Sequence, residues 1–284
     1  MPTSPYCHIG AIVNFLMRIR PSSILDVGLG NGKIGFIARD LLDVMLGERF
    51  RREEWQVKID GIEVFPDYIQ EHQRAIYDSI FIGDALQIID DLGKYDLIVL
   101  GDVVEHFEKA AAWEFLDKCA NHSTRYMMIC IPLGDKWTQP DIYGNEYERH
   151  RSFWNRDEFT PFVYEEELFN FENIGPYGAF LVKVEDYMHY RIREKGQTLF
   201  MTGREYQAVS YMINAMEGLT VNLSSEFMLI DILLKVEMPE HAIHRLERLQ
   251  SSFPEDPIVS KYLNKLKDIV KPAPSHQPHE LITN

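Results

Sequence analysis

Residues 24–36 read ILDVGLGNGKIGF and residues 95–109 read YDLIVLGDVVEHFEK. Each segment starts as a short apolar run, turns at glycine or an acid, and goes on into a helical pattern. Apolar runs without polar alternation suit strands buried on both faces, as in a parallel sheet covered by helices. Two such strand-turn-helix units restrict the chain to a layered α/β fold. Open parallel sheets of that kind bind ligands where their strands end.

The first turn carries Asp26, Gly28, Gly30 and Gly32 as D-x-G-x-G-x-G. Missing side chains let a backbone turn tightly and approach a ligand, although a glycine turn with no ligand would read the same way. A dinucleotide loop places its last glycine one position later, and a P-loop needs G-x-x-x-x-G before Lys33 and Ser or Thr after it. Two more apolar runs close on carboxylates. Residues 57–64, VKIDGIEV, end at Glu63 and Val64, and residues 79–85, SIFIGDA, end at Asp84 and Ala85. A carboxylate at a strand end can accept hydrogen bonds from both hydroxyls of a ribose. Asp84 is equally suited to cap the helix that follows it.

With these strand ends together, residues 1–190 resemble the class I S-adenosylmethionine-dependent methyltransferases of the broad small-molecule group. The resemblance implies a doubly wound, Rossmann-like sheet, mostly parallel with an antiparallel last strand, and S-adenosylmethionine as cofactor. It implies that Gly28, Leu29, Gly30 and Gly32 wrap the amino-acid end of the cofactor while Asp26 holds its ammonium directly or through water. Glu63 and Val64 would meet the ribose, Asp84 and Ala85 the adenine, and Asp102 and Val103 would complete the site.

Asp102-Val103-Val104-Glu105-His106 resembles the motif after the fourth strand of many small-molecule methyltransferases. A similar acid-x-x-Glu-His can bind a divalent metal in ubiquinone O-methyltransferases and in small-RNA 2′-O-methyltransferases, the latter with a further histidine. Asp102, Glu105, His106 and His150 could copy that set. The same string also occurs without metal, with the histidine packing the floor of the site, and no metal is assigned here. The methyl group of the cofactor is already activated, so the protein mainly positions a nucleophile and removes a proton. His106 and His150 are the candidate bases, since an unperturbed imidazole titrates near about pH 6.5. A histidine base favours an oxygen acceptor.

Residues 135–159 form a long aromatic and charged loop, and such loops over pockets commonly carry function. Tyr143, Tyr147, His150 and Trp154 are expected to wall the acceptor site. Arg149, Arg151 and Arg156 suit a carboxylate or phosphate on a small substrate, or a solvated loop. An N-terminal helix over residues 5–19 offers Tyr6 and His8 as a lid or as packing.

Beyond residue 190 the pattern is helical alone. Residues 191–270 resemble a tetratricopeptide unit, with a break at Met238-Pro239 and a fresh helix after F-P-E-D-P, and 271–284 read as a flexible tail. A lone repeat cannot bury its own face, so these helices are expected to dock on the catalytic domain or on a partner, as a homodimer or with another protein. A net charge of −15 argues against a nucleic-acid groove. No apolar run approaches the roughly 20 residues of a membrane span. Three cysteines without metal-ligand spacing suit a reducing cytoplasm. The expected activity is methyl transfer to a small-molecule, sugar or peptide acceptor in a biosynthetic pathway. The alternatives are a metal-dependent O-methyltransferase and a non-catalytic scaffold, against which the complete set of strand-end carboxylates argues.

Overall fold

The computed structural model describes residues 5–142, 144–171 and 174–270, so Tyr143 and the tail over 271–284 lie outside the described residues. Helix α1 (Ile9–Ile19) leads into β1 (Ser23–Val27), α2 (Lys33–Arg39), β2 (Lys58–Glu63), α3 (Glu71–Ile76) and β3 (Ser79–Ile82). Then come α4 (Ala85–Ile88), β4 (Tyr95–Gly101), α5 (Lys109–His122) and β5 (Ser123–Pro132). The pair β6 (Val163–Phe171) and β7 (Gly175–Lys183) completes one seven-stranded sheet in the order β3-β2-β1-β4-β5-β7-β6. Strands β1 to β5 are parallel, and β7 runs antiparallel to both of its neighbours. The apolar runs called for a layered parallel sheet, and the doubly wound order with its antiparallel last strand is the one the resemblance implied.

Its strand order reverses between β1 and β4, the place where such sheets open a crevice at the carboxyl ends of their strands. The two strands read first from the sequence form the middle of the core, with Ile24, Leu25 and Leu97 to Leu100 all buried. Helix α1 covers the sheet through Ile12, Phe15 and Leu16. It is shorter than the expected 5–19 and begins at Ile9.

A buried ion pair fastens the end of α2, while residues 48 and 50–54 of the charged stretch that follows are exposed. Helix α2 continues as a π-helical turn over Asp40–Met45, and the buried Arg39 bonds Asp43 at 2.6 Å and the Val57 carbonyl at 2.6 Å. Its guanidinium lies 4.4 Å from the Trp55 ring centre. Burial would raise the Asp43 carboxyl, but the Gln56 N–H, Arg39 and Arg49 outweigh it and hold the group below its ordinary value. Arg39→Met would leave a buried carboxylate short of its main partner. It is expected to cost ~3–5 kcal/mol in denaturant unfolding, and a loss under ~1 kcal/mol would show that the pair is incidental.

Residues 1–188 and 189–284 are separate compact units, with α6 (Val184–Met201) running across the division. The second unit holds α7 (Glu205–Ala215), α8 (Leu223–Lys235), α9 (Pro239–Ser252) and α10 (Pro257–Val270). Its own core includes Met212, Leu229, Leu233, Leu246 and Val259. The break expected at Met238-Pro239 lies between α8 and α9, where Glu237 is left-handed and Pro239 opens the next helix. Among the described residues no helix is long and apolar enough to cross a membrane.

Candidate functional site

The parallel strands end at one rim of the sheet, where a cleft of about 530 Å³ opens. After β1 the backbone turns through Gly28 (φ 67°) and Gly30 (φ 47°), both on the cleft wall with Leu29. A Cβ on Gly28 would lie 2.7 Å from the Val103 side chain, so this turn and the one after β4 meet only because the position is bare. Gly32 stands apart from the cleft. It precedes α2 in a left-handed conformation and faces Gln73 and Tyr77, which makes it a packing glycine.

Glu63 ends β2 almost fully buried, and its two oxygens accept from the Gly30 N–H at 3.0 Å and the Phe65 N–H at 2.9 Å. Burial raises its carboxyl, with the two backbone donors opposing the rise. The carboxylate therefore ties the glycine turn to β2 and still has lone pairs for a ligand on the cleft side, beside Val64. Glu63→Ala is expected to weaken cofactor binding by about 1–3 kcal/mol, the cost of lost charged hydrogen bonds. Unchanged affinity by calorimetry would refute that assignment.

Asp84 and Ala85 line the cleft after β3, and Asp84 also caps α4 by accepting the Leu86 N–H at 3.0 Å. The cap is thus formed by a residue that also stands on the cleft wall. After β4, Asp102 takes a left-handed conformation (φ 53°) that a non-glycine residue adopts only under constraint. The Tyr177 hydroxyl donates to it at 2.9 Å, and Val103 sits beside it on the cleft wall.

The next turn brings Glu105 and His106 to the cleft, and the loop after β5 brings His150 against them. The two imidazoles lie 5.1 Å apart, edge to face. His150 Nδ1 bonds the Trp137 carbonyl at 2.7 Å and His106 Nδ1 the Arg149 carbonyl at 3.2 Å. A carbonyl only accepts, so each Nδ1 carries the proton and each Nε2 presents a lone pair. Burial lowers both rings, His106 to about 4, and they are neutral at pH 7. Glu105 is 1% exposed and both of its carboxylate oxygens lack a hydrogen-bond partner. Burial, and then Asp102, drives its carboxyl far up. Ligand atoms of Glu105, His106 and His150 all lie within 4.8 Å of one another, whereas Asp102 is outside that group.

The acceptor-wall residues divide. Tyr147 lines the cleft, 46% exposed. Trp154 does not: it is fully buried, donates Nε1–H to Ser152 and packs on Trp113 and Phe159 as core. The arginine cluster divides. Arg149 forms two 2.9 Å bonds to Asp141 and Arg156 pairs with Glu166 on β6, away from the cleft wall, whereas Arg151 lines the cleft and approaches the exposed Glu146 at 3.6 Å. Tyr6 is 79% exposed and off the cleft wall, while His8 is buried and stacked on Tyr177, so neither forms a lid over the cleft.

Other cleft residues escaped the sequence reading. Asn145 caps the turn over Glu146–Glu148, reaches the Tyr68 hydroxyl at 3.3 Å and lies 3.4 Å from Glu148, fastening the loop after β5 to the segment after β2. Asn145 three positions before Glu148 resembles other turn caps, so the visible signal was the cap alone. Lys33, whose ammonium is lowered by burial, and Trp137 also line the cleft.

No protein-family profile matches the chain, and no curated protein does. Solved structures do match. TehB from Haemophilus influenzae is 14% identical over 63% of this chain and 63% of its own, with a TM-score of 0.45. The 1,6-didemethyltoxoflavin-N1-methyltransferase of Burkholderia thailandensis, solved with S-adenosylhomocysteine, is 13% identical over 63% of this chain and 78% of its own, with a TM-score of 0.46. The chain spans only 55% of a further matched protein from Nostoc punctiforme PCC 73102. Likeness at this level leaves the chemistry to be read from the residues of the cleft.

Proposed function

We propose that this chain binds S-adenosylmethionine and transfers its methyl group to an oxygen of a small-molecule, sugar or peptide acceptor. The observation that carries this reading is the delivery of Asp26, Glu63, Asp84 and Asp102 by four strand ends to one cleft beside the bare Gly28–Gly30 turn. The buried, unpartnered Oδ1 of Asp26 and the backbone exposed at Gly28 fit a ligand with a cationic amino-acid end. When bound, the cofactor supplies a methyl group already activated on a sulfonium.

The residues of the chain bind, orient and deprotonate. Glu63 accepts from the ribose hydroxyls and Asp84 from the adenine amine. The glycine turn admits the amino-acid end. The Nε2 lone pair of His150, or of His106, would accept the proton of the acceptor hydroxyl.

A second reading is favoured by the unpartnered Glu105. A buried carboxylate without donors is costly unless it holds a proton or meets a cation. Glu105, His106 and His150 would hold a divalent ion such as magnesium or manganese, which would acidify an acceptor hydroxyl. In that case both histidines orient through their Nδ1–carbonyl bonds and neither acts as base.

Calorimetric titration with S-adenosylhomocysteine tests the shared part of both readings, and absence of saturable binding removes them. Mass spectrometry of hydroxyl- and amine-bearing acceptors incubated with S-adenosylmethionine then decides the atom. Methylation confined to amines would replace the oxygen assignment.

A further inference from the structure

A tyrosine outside the predicted site is built into the fold beneath the cofactor cleft. Tyr77, in the turn between α3 and β3, is buried with its ring wrapped by glycines. A Cβ on Gly35 would lie 2.3 Å from the ring, and Cβ atoms on Gly61 and Gly32 would lie 3.2 and 3.3 Å from it. Gly35 has an ordinary helix conformation, so its lack of a side chain serves the space that Tyr77 fills, while Gly61 is bare first for Leu29, 2.4 Å from its would-be Cβ, and then for Tyr77.

The hydroxyl of Tyr77 has fixed bonding. The Gly35 N–H reaches it at 3.2 Å, and it lies 2.5 Å from Asp26 Oδ2. An amide N–H only donates, so the hydroxyl proton points to Asp26. Oδ2 is thereby an acceptor in every state, and when Asp26 is neutral its proton resides on Oδ1. That atom is buried, has no partner in the protein, and belongs to a residue of the cleft wall.

We infer that Tyr77 is a positioning residue for the amino-acid end of the cofactor: it confines the exchangeable proton of Asp26 to Oδ1, and a ligand ammonium bound there releases that proton. The inference rests on the functional reading above. Burial lifts the Asp26 carboxyl to about 7, against the lowering effects of Tyr77 and the Gly35 N–H, and Glu63 adds to the rise. Tyr77 faces Asp26 from the turn before β3 and Glu63 from the end of β2. Cys130 on β5 also feels its charge. Below its break Asp26 is neutral and must give up its proton to accept an ammonium. Affinity therefore rises with pH up to about 7, roughly tenfold per unit, and then levels.

The test uses the full chain and two probes from pH 5.5 to about 8.5, a range chosen to bracket the Asp26 break. S-adenosylhomocysteine carries the ammonium, and 5′-methylthioadenosine keeps the nucleoside and thioether without it. For the unaltered protein the first probe is expected to follow the rising and levelling profile and the second to stay flat. Tyr77→Phe keeps the ring and removes the donor. It should move the break up by roughly one unit and weaken S-adenosylhomocysteine about fivefold at pH 7, approaching tenfold at pH 5.5, while sparing methylthioadenosine. Asp26→Asn should flatten the profile, and this decides the proton linkage even if Tyr77→Phe folds poorly. Identical profiles for both probes in the unaltered protein overturn the inference. So does equal weakening of both probes by Tyr77→Phe, which would mark a merely structural tyrosine, or a variant indistinguishable from the unaltered protein. Failure of the unaltered protein to bind either probe overturns the functional reading itself.

Discussion

Gly28→Val is expected to lower S-adenosylhomocysteine affinity by about a hundredfold or more while leaving a folded protein. The position has φ 67°, where a β-branched residue is strained by roughly 1–3 kcal/mol. Its Cβ alone would come within 2.7 Å of Val103, before the two γ-methyls are counted. Relief requires the turn after β1 or the turn after β4 to move, and both line the cleft. The strand itself ends at Val27 and its pairing with β2 and β4 does not depend on the Gly28 side chain, so folding should survive. Calorimetry paired with circular dichroism checks this. A folded variant with affinity near that of the unaltered protein would mean that the glycine turn is only a turn.

His150→Ala should retain cofactor affinity and reduce methyl transfer by about 10² to 10⁴, the usual span for a positioned acid-base group. Because burial lowers both rings, His106 to about 4, any histidine limb of the rate should lie below the ordinary imidazole value. A base of this kind is weak but available at neutral pH. The cation reading makes a separate demand. Manganese should bind the unaltered protein in a calorimetric titration, and His150→Ala and Glu105→Gln should each abolish that binding. If manganese binds and chelation stops turnover, His150 is a ligand. If the metal fails to bind and turnover still falls, His150 is the base. Turnover equal to the unaltered protein in His150→Ala and His106→Ala would leave positioning alone as the source of catalysis.

The parts of the cleft that were legible in advance are local. Asp26, Glu63, Asp84 and Asp102 each end an apolar run, and a strand buried on both faces has only its carboxyl end free to carry a ligand group. The helix break at Pro239 was legible for the same kind of reason, because proline acts on its immediate neighbours. The same local logic misled where exposure was at stake. Trp154 and the arginines of residues 149–156 have the composition of a pocket wall and an anion site. Packing placed Trp154 on Phe159 and Trp113, and acids took up Arg149 and Arg156, leaving Arg151 on the cleft wall.

By itself, then, the sequence determined the alternation of strand and helix, the strand ends that bear carboxylates, and the place where helices replace the sheet, since hydrophobic period and turn chemistry are short-range properties of the chain. Tertiary structure alone decided which distant side chains share one environment. It placed Tyr77 under Asp26, across 51 positions of chain, at 2.5 Å. It set His106 edge to face against His150, and it left both carboxylate oxygens of Glu105 without a hydrogen-bond partner. Those outcomes depend on desolvation and on directions of approach across the sheet, and both exist only once the core has closed.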